Sequence, residues 1–239
     1  MITFLSDGPN RSPAALLLAH GAGAPMTSPF LEEMAALVAA RGVRVLRFEF
    51  GYMASRRRGG ARRPPPRAEL LAPEFLLAAA EARARLGRGH DLIIGGKSMG
   101  GRVASLVADE LWDDGAIRGL VCLGYPFHPR GKPEGTRTLH LAALRCRTLI
   151  VQGASDPLGS RAEVEGYALS PSISVHWIAG ADHDLAVRGQ GHEATERARL
   201  EAARALSGFV YDMARAAPAG RGLKPSDAGR ALRAPRPRR

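Results

Sequence analysis

Cysteine is scarce: the 239-residue chain holds two, Cys122 and Cys146. Both lie in apolar stretches without ligand-like spacing. That excludes a disulfide framework and reads as reduced core residues in a reducing compartment. Long apolar runs are also missing, and none reaches the ~18 residues of a membrane-crossing helix. The stretch Met1-Ile-Thr-Phe-Leu-Ser-Asp7 lacks the charged start and apolar core of a secretory signal. A cytoplasmic protein with no membrane partner is therefore expected. His90, His128, His140, His176 and His192 show no metal-ligand spacing, so no metal or other cofactor is expected. No internal repeat is visible. The length suits one α/β domain or two small ones, enough to bury a core without disulfide or metal staples.

Charge is present but unevenly placed. The formal net charge is +11. Residues 51–67 carry six arginines and no acid, and residues 214–239 carry eight basic residues against Asp227 alone, which leaves the remainder at −2. A wholly basic surface of the nucleic-acid-binding kind is excluded for the body. Nucleic acid is not an expected partner except through the basic tail, and there the reading rests on arginine density alone. The chain is rich in Ala, Arg, Gly and Pro throughout, which points to biased codon usage as much as to function.

Read in order, Ile2 to Leu5 is a short edge strand, and Ala14 to Ala19 is continuously apolar, as a strand buried on both faces must be. The pattern over 30–41 is helical and stops at Gly42; 43–50 is the next strand. The arginine segment with Pro64-Pro-Pro66 is too broken for regular structure. Pro73 suits the first position of a helix running to Leu86. Strands over 91–95, 119–124, 148–152 and 172–178 follow, with helices over 100–112, about 161–169 and about 193–213. Such alternation predicts a mostly parallel sheet covered on both faces. Beyond Met213 the sequence has no period and reads as disordered.

The centre of this pattern is Ile93-Ile94-Gly95-Gly96-Lys97-Ser98-Met99-Gly100-Gly101. An apolar strand breaks into glycines and resumes as a helix, with Ser98 on the turn. G-x-S-x-G in that context is the elbow that lifts a serine hydroxyl above a sheet, and small residues at 96 and 100 let strand and helix pass closely. A phosphate-binding loop is excluded, because G-x-x-x-x-G-K-S requires glycine where Asp91 stands.

In open parallel sheets, reactive groups gather at the carboxyl ends of strands. Ser98 follows the 91–95 strand, Asp156 the 148–152 strand and His183 the 172–178 strand. Singly, Asp156 reads as a turn or capping residue and His183 as a solvated histidine. Together, in the order Ser, Asp, His, they make a catalytic triad: a hydroxyl needs a base to take its proton, and a carboxylate holds that base in the useful tautomer. Asp182 and Asp184 adjoin His183 too closely to serve as the acid. The backbone N–H groups of Ala22, in His20-Gly-Ala-Gly23, and of Met99 are the expected oxyanion donors. His20 itself reads as structural.

These residues resemble the α/β-hydrolase superfamily in its dienelactone-hydrolase-like part. More narrowly, they resemble the family of testis-expressed protein 30 and the hydrolase-like region of NSL chromatin complex subunit 3. The likeness is carried by HGAGA at 20–24, YMASRRRGGARRPPPR at 52–67, GGKSMGGR at 95–102, GYPFHPRGKPE at 124–134 and QGASDPLG at 152–159. It spans about residues 12–213. It implies a three-layer α/β-hydrolase fold with a mostly parallel sheet of about six to seven strands, as a domain over 1–213 followed by a tail over 214–239. Dienelactone hydrolases use a cysteine nucleophile, so their substrate does not carry over to Ser98. Some two dozen residues between the strands ending at Gly124 and starting near Thr148 are too few for a large lid. The reading is a serine hydrolase acting on an ester, thioester or related acyl bond; the alternative is a binding module on the same scaffold. Arg62, Arg63 and His128 are candidate substrate-binding residues, and the arginines Arg56, Arg57, Arg58, Arg62, Arg63 and Arg67 suggest a small-molecule acyl substrate bearing negative charge.

Overall fold

The computed structural model describes residues 2–61, 64–87 and 89–216. Among them, seven strands share one sheet: β1 (Phe4–Asp7), β2 (Ala14–Ala19), β3 (Arg44–Phe48), β4 (Asp91–Lys97), β5 (Gly119–Leu123), β6 (Thr148–Gly153) and β7 (Ile173–Ile178). Their order is β1-β3-β2-β4-β5-β6-β7. Only the edge pair β1–β3 is antiparallel.

Burial explains why β2 is apolar at every position. Ala15, Leu17 and Ala19 face the core under α3 (Ala68–Leu86) and α4 (Met99–Asp113). Ala14, Leu16 and Leu18 face the opposite core, under α1 (Pro29–Ala39) and α6 (Gly191–Arg215). The chain leaves β2 toward β3 and β1, then returns to lay β4 on the other side of β2. The crevice at the carboxyl ends of β2 and β4 is thus the switch point, where open α/β sheets bind ligands. The connection from β5 to β6 contains one 3₁₀ turn, Leu141–Ala143, and no helical lid stands over those strand ends among the described residues. Cys122 and Cys146 are free and buried, and burial raises both thiols. No helix among the described residues is long and apolar enough to cross a membrane.

Three local expectations are corrected. The helix expected over about 161–169 is a single turn, α5 (Arg161–Val164), after which the chain turns toward β7. The arginine segment is not wholly irregular: α2 (Gly51–Arg57) forms there, with Met53 buried, the Glu74 carboxylate accepting from the Gly51 N–H at 2.6 Å, and Arg56 and Arg57 in its last turn. An acid at the helix start and bases at its end match the helix dipole. Helix α3 starts at Ala68 rather than Pro73, so Pro73 lies inside it. The proline removes one bond, toward the Glu69 carbonyl, but Ala68, Leu71 and Phe75 are buried at helical spacing. That burial outweighs the missing bond. The tail beyond residue 216 and the pair Arg62 and Arg63 lie outside the described residues.

The start of α4 packs against β4 and the end of β2 with no room for side chains. A Cβ at Gly96 would lie 2.6 Å from the Gly100 carbonyl carbon, and one at Gly100 would lie 2.6 Å from the carbonyl oxygens of Ala19 and His20. Backbone cannot yield as a side-chain tip can. Gly100→Ala should therefore lower the unfolding free energy in urea melts by at least about 1–3 kcal/mol. Gly208, exposed in α6 with nothing within 4 Å of its Cβ position, is the control: Gly208→Ala should raise it by about 0.5–1 kcal/mol.

Candidate active site

Ser98 stands between β4 and α4 with φ 51° and ψ −116°. The only other non-glycine residue with positive φ among those described is Leu185, at 54°, two positions after His183. A non-glycine residue is uncommon there, and such strain costs about 1–3 kcal/mol. The Ser98 N–H donates to the Leu123 carbonyl at 2.9 Å, and its own carbonyl accepts from the Arg102 N–H at 3.0 Å. The turn is thereby fastened on both sides, with the hydroxyl directed over the strand ends.

Asp156, fully buried beyond β6, accepts from the Leu158 N–H at 2.8 Å, from Gln152 Nε2 at 2.9 Å and from His183 Nδ1 at 2.7 Å. The first two partners are obligate donors, which identifies the carboxylate as acceptor and places the His183 proton on Nδ1. His183 Nε2 is then free to accept from Ser98 Oγ, 2.9 Å away. Ser98, His183 and Asp156 form one unbroken hydrogen-bonded chain, in which a proton leaving the hydroxyl has an acceptor and the resulting imidazolium has a counter-charge.

Asp182 and Asp184 do other work. Asp182 accepts from the N–H groups of Asp184 and Ala186 and from Arg188 Nε; it folds the loop that carries His183. Burial raises its carboxyl, but the bonds from Arg188, Ala186 and Asp184 prevail and hold it below the usual carboxylate range. Ala22 and Met99 line the same cavity of about 630 Å³ as Ser98. Met99 opens α4, so its N–H has no partner within the helix. The Ala22 carbonyl accepts from the Tyr52 hydroxyl at 2.9 Å. Its loop is also pinned by buried His20, whose Nε2 accepts from the Phe50 N–H at 3.2 Å and whose Nδ1 donates to the Gly21 carbonyl at 2.6 Å. His20 is structural, and burial lowers its pKa.

A profile of the family described as "Alpha/beta hydrolase domain" matches residues 12–211. The chain belongs to this family. Its fold is shared with an α/β serine hydrolase homologue from Coxiella burnetii (16% identity, TM-score 0.62, 86% of this chain and 90% of that one). It is shared also with a serine hydrolase without lid from Xanthomonas campestris (18%, 0.63, 91% and 91%) and with a dienelactone hydrolase from Anabaena variabilis (20%, 0.64, 85% and 89%). At these identities the likeness is one of fold.

Not every sequence candidate reaches the hydrolase cavity. His128 is buried, with Nδ1 2.9 Å from the Pro129 carbonyl and Nε2 3.5 Å from Glu163; it braces the loop and does not line the cavity. Arg57 and Arg58 line a separate cleft of about 240 Å³, and Arg56 another of about 350 Å³. Of the described arginines in that segment, Arg67 alone lines the cavity of Ser98.

Two residues of the site escaped the sequence reading. Gln152 binds Asp156, the Tyr125 and Gly159 carbonyls, and the Tyr125 N–H, tying β5 to β6 beneath the carboxylate. A polar side chain inside an otherwise apolar strand was the available signal. Lys97, also buried, donates to the His183 carbonyl at 2.8 Å, meets Asp184 Oδ1 at 3.2 Å and lies 5.3 Å from the centre of the Phe30 ring. Burial pushes its ammonium below the usual lysine range while Asp184 pulls the other way. Lys97 thus ties the histidine loop to the residue next to Ser98. Lys97→Met removes the tie and leaves the His183 carbonyl unpaired, a loss of about 1–3 kcal/mol in urea melts. The downfield Nδ1 proton of His183 should broaden in the NMR spectrum of the variant. An unchanged resonance would show that the loop holds without the lysine.

Proposed function

We propose that the protein is a serine hydrolase cleaving an ester, thioester or related acyl bond. The observation that carries this reading is the chain Asp156–His183–Ser98, with spacings of 2.7 and 2.9 Å. In this mechanism His183 Nε2 takes the Ser98 proton as Oγ attacks the acyl carbon, and the imidazolium is held by Asp156. The tetrahedral oxyanion accepts from the N–H groups of Ala22 and Met99. His183 then returns the proton to the leaving alcohol or thiol. Water, deprotonated by the same nitrogen, releases the acid and restores Ser98.

The sequence motifs support a finer kinship within the superfamily, with testis-expressed protein 30 and the hydrolase-like region of NSL complex subunit 3. A domain over 1–213 and a reducing, cytoplasmic setting belong to the same proposal, the latter supported by two unpaired thiols. The open strand ends favour small activated acyl compounds over a lidded lipase substrate.

Turnover of short activated esters tests this directly. Ser98→Ala and His183→Ala should each lower kcat by at least about 10³-fold with the melting temperature of a folded protein, and Asp156→Asn by about 10⁴-fold through loss of the tautomer. Asp182→Asn keeps an oxygen for the Asp184 and Ala186 amides and should cost far less. Undiminished turnover in Ser98→Ala would contradict the assignment.

A further inference from the structure

Among the described residues, the cavity over Ser98 is lined by four arginines, Arg67, Arg102, Arg130 and Arg137, and one acid, Glu69. They come from three places: the start of α3, the first turns of α4, and the β5–β6 connection. Arg102, Arg130 and Arg137 belong to the body outside 51–67 and the tail, which carries a formal charge of −2, so a general surplus of base does not account for their convergence. Glu69 pairs with Arg102. No carboxylate among the described residues lies within ion-pairing distance of Arg67, Arg130 or Arg137.

Arg102 follows Ser98 by one helical turn; its side chain is 19% exposed, and its Nε is buried without a partner among the described residues. Arg137 is half-buried, and its backbone is held from two directions. Its N–H donates to the Phe127 carbonyl at 2.7 Å, and its carbonyl accepts from the Tyr125 hydroxyl at 3.1 Å. Burial first, and then the charge of Arg102, push the Arg137 guanidinium below the usual arginine range. Arg102 and Arg137 thus line one partly buried cavity in which Glu69 is the single carboxylate among the described lining residues, a surplus of positive charge that a bound anion relieves. Arg67 and Arg130 each directly follow a proline, Pro66 and Pro129, whose rings fix the backbone that presents them. Pro126 and Leu158 supply apolar wall beside the serine.

We propose that this cavity selects acyl substrates carrying a carboxylate or phosphate-type group, gripped by Arg102 and Arg137 with Arg67 and Arg130 at the rim. The proposal rests on the hydrolase reading for its chemistry but not for its binding site. Arginine suits the role because its planar fork pairs with two oxygens of such an anion at once. The apolar wall takes the aliphatic chain between the anion and the scissile carbonyl.

Two measurements separate the site from the chemistry. The first compares kcat/KM for 4-nitrophenyl butanoate, mono-4-nitrophenyl glutarate and the 4-nitrophenyl ester of 3-phosphonopropanoate. The wild type should prefer an anionic ester. The ratio of anionic to neutral rates should fall about 10- to 100-fold in Arg137→Gln and in Arg102→Gln and shrink in high salt. It should be unaltered in Arg145→Gln, a surface control paired with Asp109 and Asp113. Whether the glutarate or the phosphonate ester is the better substrate identifies the anion. Equal rates for neutral and anionic esters in an active wild type would overturn the pocket and leave the hydrolase standing. The second measurement is calorimetric binding of glutarate and of glycerol phosphate to wild type and to the Arg102→Gln, Arg137→Gln double variant, which needs no turnover. Binding to the wild type that weakens about 10-fold or more in the double variant supports the site even if no ester is cleaved. Failure of both anions to bind the wild type, or equal binding to both proteins, contradicts it.

Discussion

Everything at this site depends on the close passage of β4 under α4. Gly96 brings backbone against backbone where β4 meets α4, and Gly100 does so where α4 meets the end of β2, which leaves room for a serine at φ 51° on the turn between them. That contact lets the Ser98 N–H reach the Leu123 carbonyl and the Arg102 N–H reach the Ser98 carbonyl. The hydroxyl is then directed at His183 Nε2 over the carboxyl ends of the parallel strands. The strain belongs to a two-sided arrangement, since Leu185 is also at positive φ in the loop presenting His183. Lys97 joins the two strained segments through the His183 carbonyl.

Polar groups beneath the reacting atoms are numerous and nearly all partnered. Gln152 and the Leu158 N–H orient Asp156, Asp182 gathers its own loop, and Tyr52 with His20 braces the segment of Ala22. Buried hydrogen-bonded networks of this kind hold side chains in one arrangement, because any alternative leaves a buried group unpaired. The Ser98 hydroxyl faces an open cavity, so rigidity beneath and access above coexist, with no lid among the described residues.

The fold was largely legible in the sequence because a doubly covered parallel sheet requires continuous apolar strands, and 14–19, 119–123 and 148–151 satisfy that at nearly every position. Ser98, Asp156 and His183, which the structure brings within hydrogen-bonding distance, were legible for a related reason: each is a polar residue in the loop or turn at the carboxyl end of a strand, although β7 before His183 alternates and is not continuously apolar. What was misplaced depended on tertiary contacts that local pattern does not encode. Pro73 signalled a helix start, but the burial of Ala68 and Leu71 carried the helix past it. Arginine and proline density concealed α2, whose first N–H is capped by Glu74 from a distant helix. Of the arginines in the basic segment 51–67, Arg67 alone among those described lines the cavity of Ser98. The structure instead gathers Arg102, Arg130 and Arg137 from elements that lie apart in the chain.

Covalent labelling addresses the central claim, that this geometry makes Ser98 a nucleophile through His183. The protein would be incubated with a fluorophosphonate, its intact mass measured and the modified peptide sequenced. The account predicts a single adduct on Ser98 in the wild type and none in His183→Ala. An adduct on another residue, no adduct at all, or equal labelling of Ser98 without His183 would contradict it.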